Sequence, residues 1–198
     1  MEHSKSAARR LLCVTLLPLA LLCHTGARAA ALEGQQFADT IAVADGELKL
    51  NGLGLRGVMM FKGYVAGLYL SRKASTHVEV AALPGPKRLE LRMLRSAGAD
   101  DFIDALVGGI RKNASPSELQ QLEERVEQLK TSIKSIGKAA KGDVIQFDYA
   151  PEGGTTLTVN GNIKGPAIKG KDFFDAVLQI FVGERPVDAK LKRGLLGQ

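Results

Sequence analysis

Glycine sets the first constraint on this chain. Over residues 51–70, β-forming side chains are interrupted by glycines at 52, 54, 57, 63 and 67. Glycine weakens a strand interior, because it packs no side chain and loses the most backbone entropy on ordering. It is kept there where a bulge, a turn or the close approach of another backbone needs it. Residues 51–57, with three glycines in seven, read as a turn with close backbone approach. They do not form a phosphate-binding loop, since no Gly-Lys-Ser/Thr follows and the next segment is β-forming. Residues 58–70, carrying Phe61, Tyr64, Val65 and Tyr69, read as one long strand, with bulges or a closely packed element at Gly57, Gly63 and Gly67.

Hydrophobic periodicity places the other elements. Residues 37–43 and 47–50 flank Asp45-Gly46, a pair suited to a hairpin turn. Ser75 or Thr76 caps a short helix that must end before Pro84. Leu89, Leu91 and Met93 then alternate with Glu90, Arg92 and Leu94, the period of a strand. Phe102, Ile103, Leu106, Val107 and Ile110 form one helical stripe. A second helix starts at Ser115-Pro116-Ser117-Glu118, which offers an N-cap serine, proline at the first position and a capping-box glutamate. Its opposite face mixes Glu123, Glu124, Glu127, Lys130 and Lys134, which marks a solvated helix and not a basic membrane-surface one. Ile145, Phe147 and Tyr149 alternate with Val144 and Gln146, and residues 155–159 run into an Asn160-Gly161 turn. Residues 173–182 form a strongly apolar helix, and residues 184–197 a short amphipathic tail with Leu191, Leu195 and Leu196 on one side. Strands, helices, strands and helices in that order predict an α+β domain, an antiparallel sheet with its helices gathered on one face.

The N-terminus reads as an address and not as part of that domain. Lys5, Arg9 and Arg10 precede thirteen mainly apolar residues, 11–23, and Ala27-Arg28-Ala29 supplies a signal-peptidase site. As a helix that run reaches only ~20 Å, short of the ~30 Å hydrocarbon core. Residues 1–29 are therefore expected to be a cleaved signal peptide and residues 30–198 the exported domain, periplasmic or secreted, with no stable membrane span. The leader carries Lys5, Arg9, Arg10 and Arg28 against Glu2, so its loss takes the formal net charge from +6 to +3. Beyond Lys87-Arg88 and Lys190-Lys192-Arg193 the basic residues are scattered, which argues against a nucleic-acid partner. Cys13 and Cys23 leave with the leader, and His77 is the one histidine that remains. The domain then has no disulfide, thiol nucleophile or Cys/His metal cluster, and no cofactor is implied.

Between the apolar C-terminal helix and the sheet there is room for a cleft holding an apolar ligand, or simply for a closed core. Arg56 is the candidate polar anchor, because a guanidinium grips a carboxylate or enolate through two parallel hydrogen bonds. Tyr64 is its candidate partner. In a straight strand the two lie about 26 Å apart, at roughly 3.3 Å per residue, so they share a site only where the chain turns back or bulges.

Leu53-Gly54-Leu55-Arg56-Gly57 and the block 61–70 resemble the signature of the chalcone isomerase family. Ala176-Val177-Leu178, Val182-Gly183-Glu184 and Leu191-Lys192-Arg193 are similar to that family's closing segment. The resemblance is nearest to a bacterial secreted branch, and it implies an open-faced β-sandwich. Plant members close a chalcone to a flavanone with an Arg, a Thr, a Tyr, an Asn and a late Thr around the substrate. The Arg carries over as Arg56. The strand Thr falls at Tyr64, the Tyr near Asp101 or Phe102, the Asn near Gly108 or Gly109, and the late Thr at Ile180. Plastid relatives hold a fatty-acid carboxylate with an Arg and a Tyr at the strand position, which Arg56 and Tyr64 match. The resemblance thus implies a binder of a fatty acid or similar small apolar carboxylate, and Phe173, Val177 and Ile180 of the apolar helix are expected to line part of its pocket. The alternatives are an intramolecular lyase acting on a chalcone- or enone-like substrate, marked by polar residues beside Arg56, and an interaction module with a filled core. Cleavage at Ala29 has a direct consequence: N-terminal sequencing of the exported protein is expected to begin near Ala30, and a chain still starting at Met1 would reject processing.

Overall fold

A computed structural model describes residues 29–58 and 60–198. The expected signal peptide, with Cys13 and Cys23, lies outside the described residues apart from its last position, Ala29. β1 (Ala29–Leu32) and β2 (Gln35–Ala38) pair with each other. β3 (Thr40–Val43), β4 (Gly46–Val58), β5 (Phe61–Leu70) and β6 (Lys87–Met93) follow as a meander, with α1 (His77–Ala82) between the last two. The chain leaves the sheet through β7 (Ala97–Gly98), α2 (Ala99–Asn113), α3 (Pro116–Lys134) and β8 (Lys138–Ala139). It returns beside β6 as β9 (Val144–Ala150), β10 (Gly154–Val159) and β11 (Asn162–Ile163), and α4 (Lys171–Val182) and α5 (Ala189–Leu195) follow. The seven-stranded antiparallel sheet has the order β11-β10-β9-β6-β5-β4-β3. This is the α+β architecture the element order predicts.

Period two decides which side chains enter the core. Leu89, Leu91 and Met93 of β6 and Ile145, Phe147 and Tyr149 of β9 face the helices and are buried. Their alternates make a polar lattice on the outer face. Arg88 donates from Nε and Nη2 to the Asp148 carboxylate at 2.5 and 2.6 Å. Glu90, itself buried, accepts from Arg92 Nε and from Gln146 Nε2, both at 2.9 Å. Each buried polar group there has a partner, which offsets its loss of water. The helices use the residues their stripes predict: Ile103, Leu106 and Ile110 are buried in α2, and Ser115 and Glu118 form the capping box of α3 with Pro116 at its first position. Thr76 is the cap of α1.

Five expectations need correction. Residues 51–57 form no turn; they lie inside the thirteen-residue β4. Gly52 and Gly54 serve the close approach and not a reversal. A Cβ on Gly52 would sit 2.1 Å from the Gly194 carbonyl oxygen, and one on Gly54 would sit 2.4 Å from that of Leu191. Residues 58–70 are not one strand, because the chain reverses after Val58 and pairs Val58 with Phe61. The reversal between β3 and β4 uses Ala44-Asp45, with Val43 opposite Gly46 and Ala44 at a φ of 51°. Residues 37–43 are divided between β2 and β3, and Phe37 is fully buried in a second cluster with Leu48, Val65 and Tyr69. The β1–β2 hairpin thereby covers part of the outer face. The Lys87-Arg88 pair is no basic surface either: Lys87 is sealed, donates to the Leu83 carbonyl at 2.7 Å, and burial pushes its ammonium down to about 8.

Asn51 explains how β4 accepts the neighbouring loop. The register with β5 shifts between Leu50 and Gly52, leaving Asn51 as a bulge. Its buried amide donates to the carbonyls of Ala74 (2.9 Å) and Leu195 (2.7 Å) and accepts from the Ala74 N–H (2.8 Å). One side chain thus ties a strand, a loop and the last helix. The glycine contact beside it is testable. Gly54→Ala is expected to push α5 away and cost about 3 kcal/mol, the upper range for overpacking, in urea denaturation of the purified protein.

Candidate functional site

The reversal between β4 and β5 places Arg56 directly opposite Tyr64. Paired residues of an antiparallel ladder have Cα atoms about 4.5–5.5 Å apart, so the straight-strand separation collapses. Both side chains are on the helix-facing side. Tyr64 meets Phe181 of α4 edge-on, with ring centroids 6.5 Å apart and planes inclined by 61°. Arg56 donates from Nη1 to the Gly57 carbonyl at 3.1 Å and to Asp188 Oδ2 at 3.3 Å. A second register shift, between Arg56 and Gly57, leaves Gly63 as the extra residue on β5.

Asp188 is the N-cap of α5. Its Oδ1 accepts from the N–H groups of Lys190 (2.8 Å) and Leu191 (3.0 Å), while Oδ2 takes Arg56. Burial pushes this carboxyl up, but those two N–H groups and Arg56 outweigh burial and hold it below its ordinary value. It therefore stays ionised at neutral pH. Burial pushes the Tyr64 hydroxyl far above its usual value, with Arg56 opposing and Asp188 reinforcing the shift. Tyr64 is consequently a neutral donor and not a phenolate. The Arg56 side chain is 25% exposed, and among the described residues its Nε and Nη2 donate to no protein group. That unspent edge is the one that receives a carboxylate side-on.

The apolar candidates lie elsewhere in the same layer. Phe173, Val177 and Ile180 are 0%, 0% and 2% exposed and belong to the main core. The fold brings Arg56 and Tyr64 together and sets Phe181 beside Tyr64, while Phe173, Val177 and Ile180 are closed within the main core. Clefts of about 320 and 240 Å³ flank α3, and neither includes Arg56 or Tyr64. Among the described residues no three His, Cys, Asp or Glu side chains group as metal ligands. No described helix is long and apolar enough to cross a membrane. Sequence reasoning missed Asp188, although an aspartate just ahead of the Leu191/Leu195 stripe is an N-cap signal.

Residues 29–197 match the family described as chalcone isomerase-like. The chain belongs to the chalcone isomerase-like family. Its structure is similar to the crystal structure of an Arabidopsis thaliana fatty-acid binding protein, with a TM-score of 0.64 and 15% sequence identity. The match covers 85% of this chain and 96% of that one. At that identity the likeness is one of fold. A search of curated protein sequences finds no match.

Within the chalcone isomerase-like fold, α2 and α4 approach each other closely at a glycine. A Cβ on Gly109 of α2 would sit 2.6 Å from Cγ2 of Ile180 on α4. The two helices close on one another there. Arg56, Tyr64 and Asp188 are thus the polar groups this layer presents together. Asp188→Ala removes both the cap and the ion pair and is expected to cost about 1–2 kcal/mol in chemical denaturation. Asp188→Asn, which keeps a capping oxygen, is expected to lose less than half of that.

Proposed function

We propose that this protein is an exported, non-catalytic binder of a fatty acid or similar small apolar carboxylate. The observation that carries this reading is the cross-strand pair Arg56 and Tyr64, with the Nε/Nη2 edge of Arg56 unspent and Tyr64 a neutral donor beside it. A carboxylate head receives two parallel hydrogen bonds from the guanidinium and a third from the phenol. The tail runs between the sheet and α4 along Phe173, Val177 and Ile180, where burial supplies roughly 0.8 kcal/mol per CH₂. Those side chains part to admit it, and α5, seven residues long, is the element that gives way. The likeness in fold to a fatty-acid binding protein supports the same class of ligand. The lyase alternative calls for polar side chains around the substrate, and Gly108 or Gly109 and Ile180, where the resemblance puts an Asn and a Thr, supply none. Export rests on the leader sequence of residues 1–29.

The closed packing of Phe173, Val177 and Ile180 supports a second reading, an interaction module whose core admits no ligand. Titration calorimetry with long-chain fatty acids separates the two, with native mass spectrometry of the purified protein to detect retained lipid. Arg56→Ala is expected to weaken binding by about 2–5 kcal/mol, the range for truncating one partner of a buried charge pair. Tyr64→Phe costs about 0.5–1.5 kcal/mol, one hydrogen bond with the ring kept. Chalcone incubated with the protein is expected to cyclise at its spontaneous rate. Absence of fatty-acid binding by the unaltered chain would favour the interaction module, and chalcone turnover abolished by Arg56→Ala would favour the lyase.

A further inference from the structure

The hairpin that brings Arg56 to Tyr64 has a tip unlike the others in this chain. Two-residue turns also join β1 to β2, β3 to β4 and β10 to β11, through Glu33-Gly34, Ala44-Asp45 and Asn160-Gly161. Each contains Gly, Asn or Asp, the residues that tight turns favour for their backbone freedom or their local hydrogen bonds. Between Val58 and Phe61 the chain instead carries Met59 and Met60. Turn chemistry gives no reason for two methionines at that position. Met60 is 90% exposed and the adjoining Phe61 is 61% exposed, whereas Val78 and Ile163, the other large exposed apolar residues described, stand singly. The Arg95 guanidinium lies over the Phe61 ring, 5.0 Å from its centroid, and among the described residues it has no carboxylate partner. Lys62 follows Phe61 in the chain and pairs with Glu33.

We propose that this tip docks onto an anionic lipid bilayer, with Met60 and Phe61 entering the interfacial layer and Arg95 meeting lipid phosphates. Two adjacent apolar side chains fall far short of the roughly 800 Å² per partner of a stable protein interface. They suit a bilayer surface, where apolar burial and the attraction of cations to anionic headgroups add together. The stacking of Arg95 on Phe61 holds the cation level with the ring, at the depth of the headgroups. Two ladder pairs, Gly57 with Lys62 and Val58 with Phe61, separate the tip from Arg56 and Tyr64. A docked tip therefore turns that site toward the membrane. The inference stands on the tip alone and does not require the ligand reading to hold.

The chain contains no tryptophan, so the single indole introduced by Met60→Trp in the full chain reports on the tip alone. Vesicles of phosphatidylglycerol and phosphatidylethanolamine are expected to move the emission of that indole to shorter wavelength, and brominated lipid is expected to quench it. Val78→Trp, on α1 beyond the far end of β5, is expected to show neither effect. An N-terminal segment that itself reached the vesicles would not bury an indole at the tip, so the readout remains specific to position. Adding Phe61→Ser to the Met60→Trp chain is expected to weaken the response about tenfold in vesicle concentration. Adding Arg95→Gln instead is expected to weaken it about fivefold on anionic vesicles and not on phosphatidylcholine. An emission spectrum of the Met60→Trp chain unchanged by vesicles would overturn the proposal. So would a shift without vesicles that grows with protein concentration, since the tip would then be meeting a second copy of the chain.

Discussion

The backbone of α5 rests directly on β4, and most of what is distinctive in this molecule depends on that contact. Helix and strand backbones approach this closely only where neither carries a side chain in the way. Gly52 and Gly54 clear the strand, and Gly194 clears the helix, its own Cβ position lying 2.2 Å from the Leu53 carbonyl oxygen. With the gap closed, Leu191 and Leu195 are wholly buried and seal the end of the core beneath α4. The same seating sets Asp188 against Arg56 and the Leu195 carbonyl against the Asn51 amide. A helix of seven residues has little stability of its own, because nucleation costs as much as its few hydrogen bonds return. Its order comes from what it sits on.

Charge is handled differently on the two faces of the sheet. On the outer face Arg88 with Asp148, and Glu90 with Arg92 and Gln146, are bonded to one another across neighbouring strands or along β6. Their donors and acceptors are largely spent on each other. On the inner face Arg56 spends Nη1 alone on the protein, and its one carboxylate partner among the described residues is already committed to capping a helix. An arginine held in place with part of its fork unspent is suited to an incoming anion. The outer lattice, by contrast, serves to keep a polar face ordered over the small apolar cluster around Phe37.

Membership of the chalcone isomerase-like family fixes the scaffold, while the chemistry it supports is decided by a few side chains. Glycine and isoleucine bring α2 and α4 into close contact, and a tyrosine whose proton is held by burial stands on the strand opposite Arg56. On the proposed reading such surroundings suit a carboxylate head and an apolar chain, whereas a phenoxide attacking an enone needs polar groups spread along the substrate.

Local rules determined the elements. The period-two runs of β6 and β9, the stripe of α2 and the capping box of α3 are properties of neighbouring residues, and each forms where its pattern places it. The glycines at 52 and 54 announced a close approach for the same reason, since a strand does not keep them without one. Tertiary structure decided what approached and where the chain reversed. Met59-Met60 carries no turn signal, so the reversal that pairs Arg56 with Tyr64 was invisible to turn chemistry and is imposed by strand pairing on either side. Asn51 was equally silent, and Asp188 signalled a helix cap but not its ion pair, because the Leu195 carbonyl and the Arg56 guanidinium that they bind lie more than a hundred residues away in the chain. A side chain's chemistry is written at its own position, but its partner is chosen by packing, and the site near Arg56 consists of such partners.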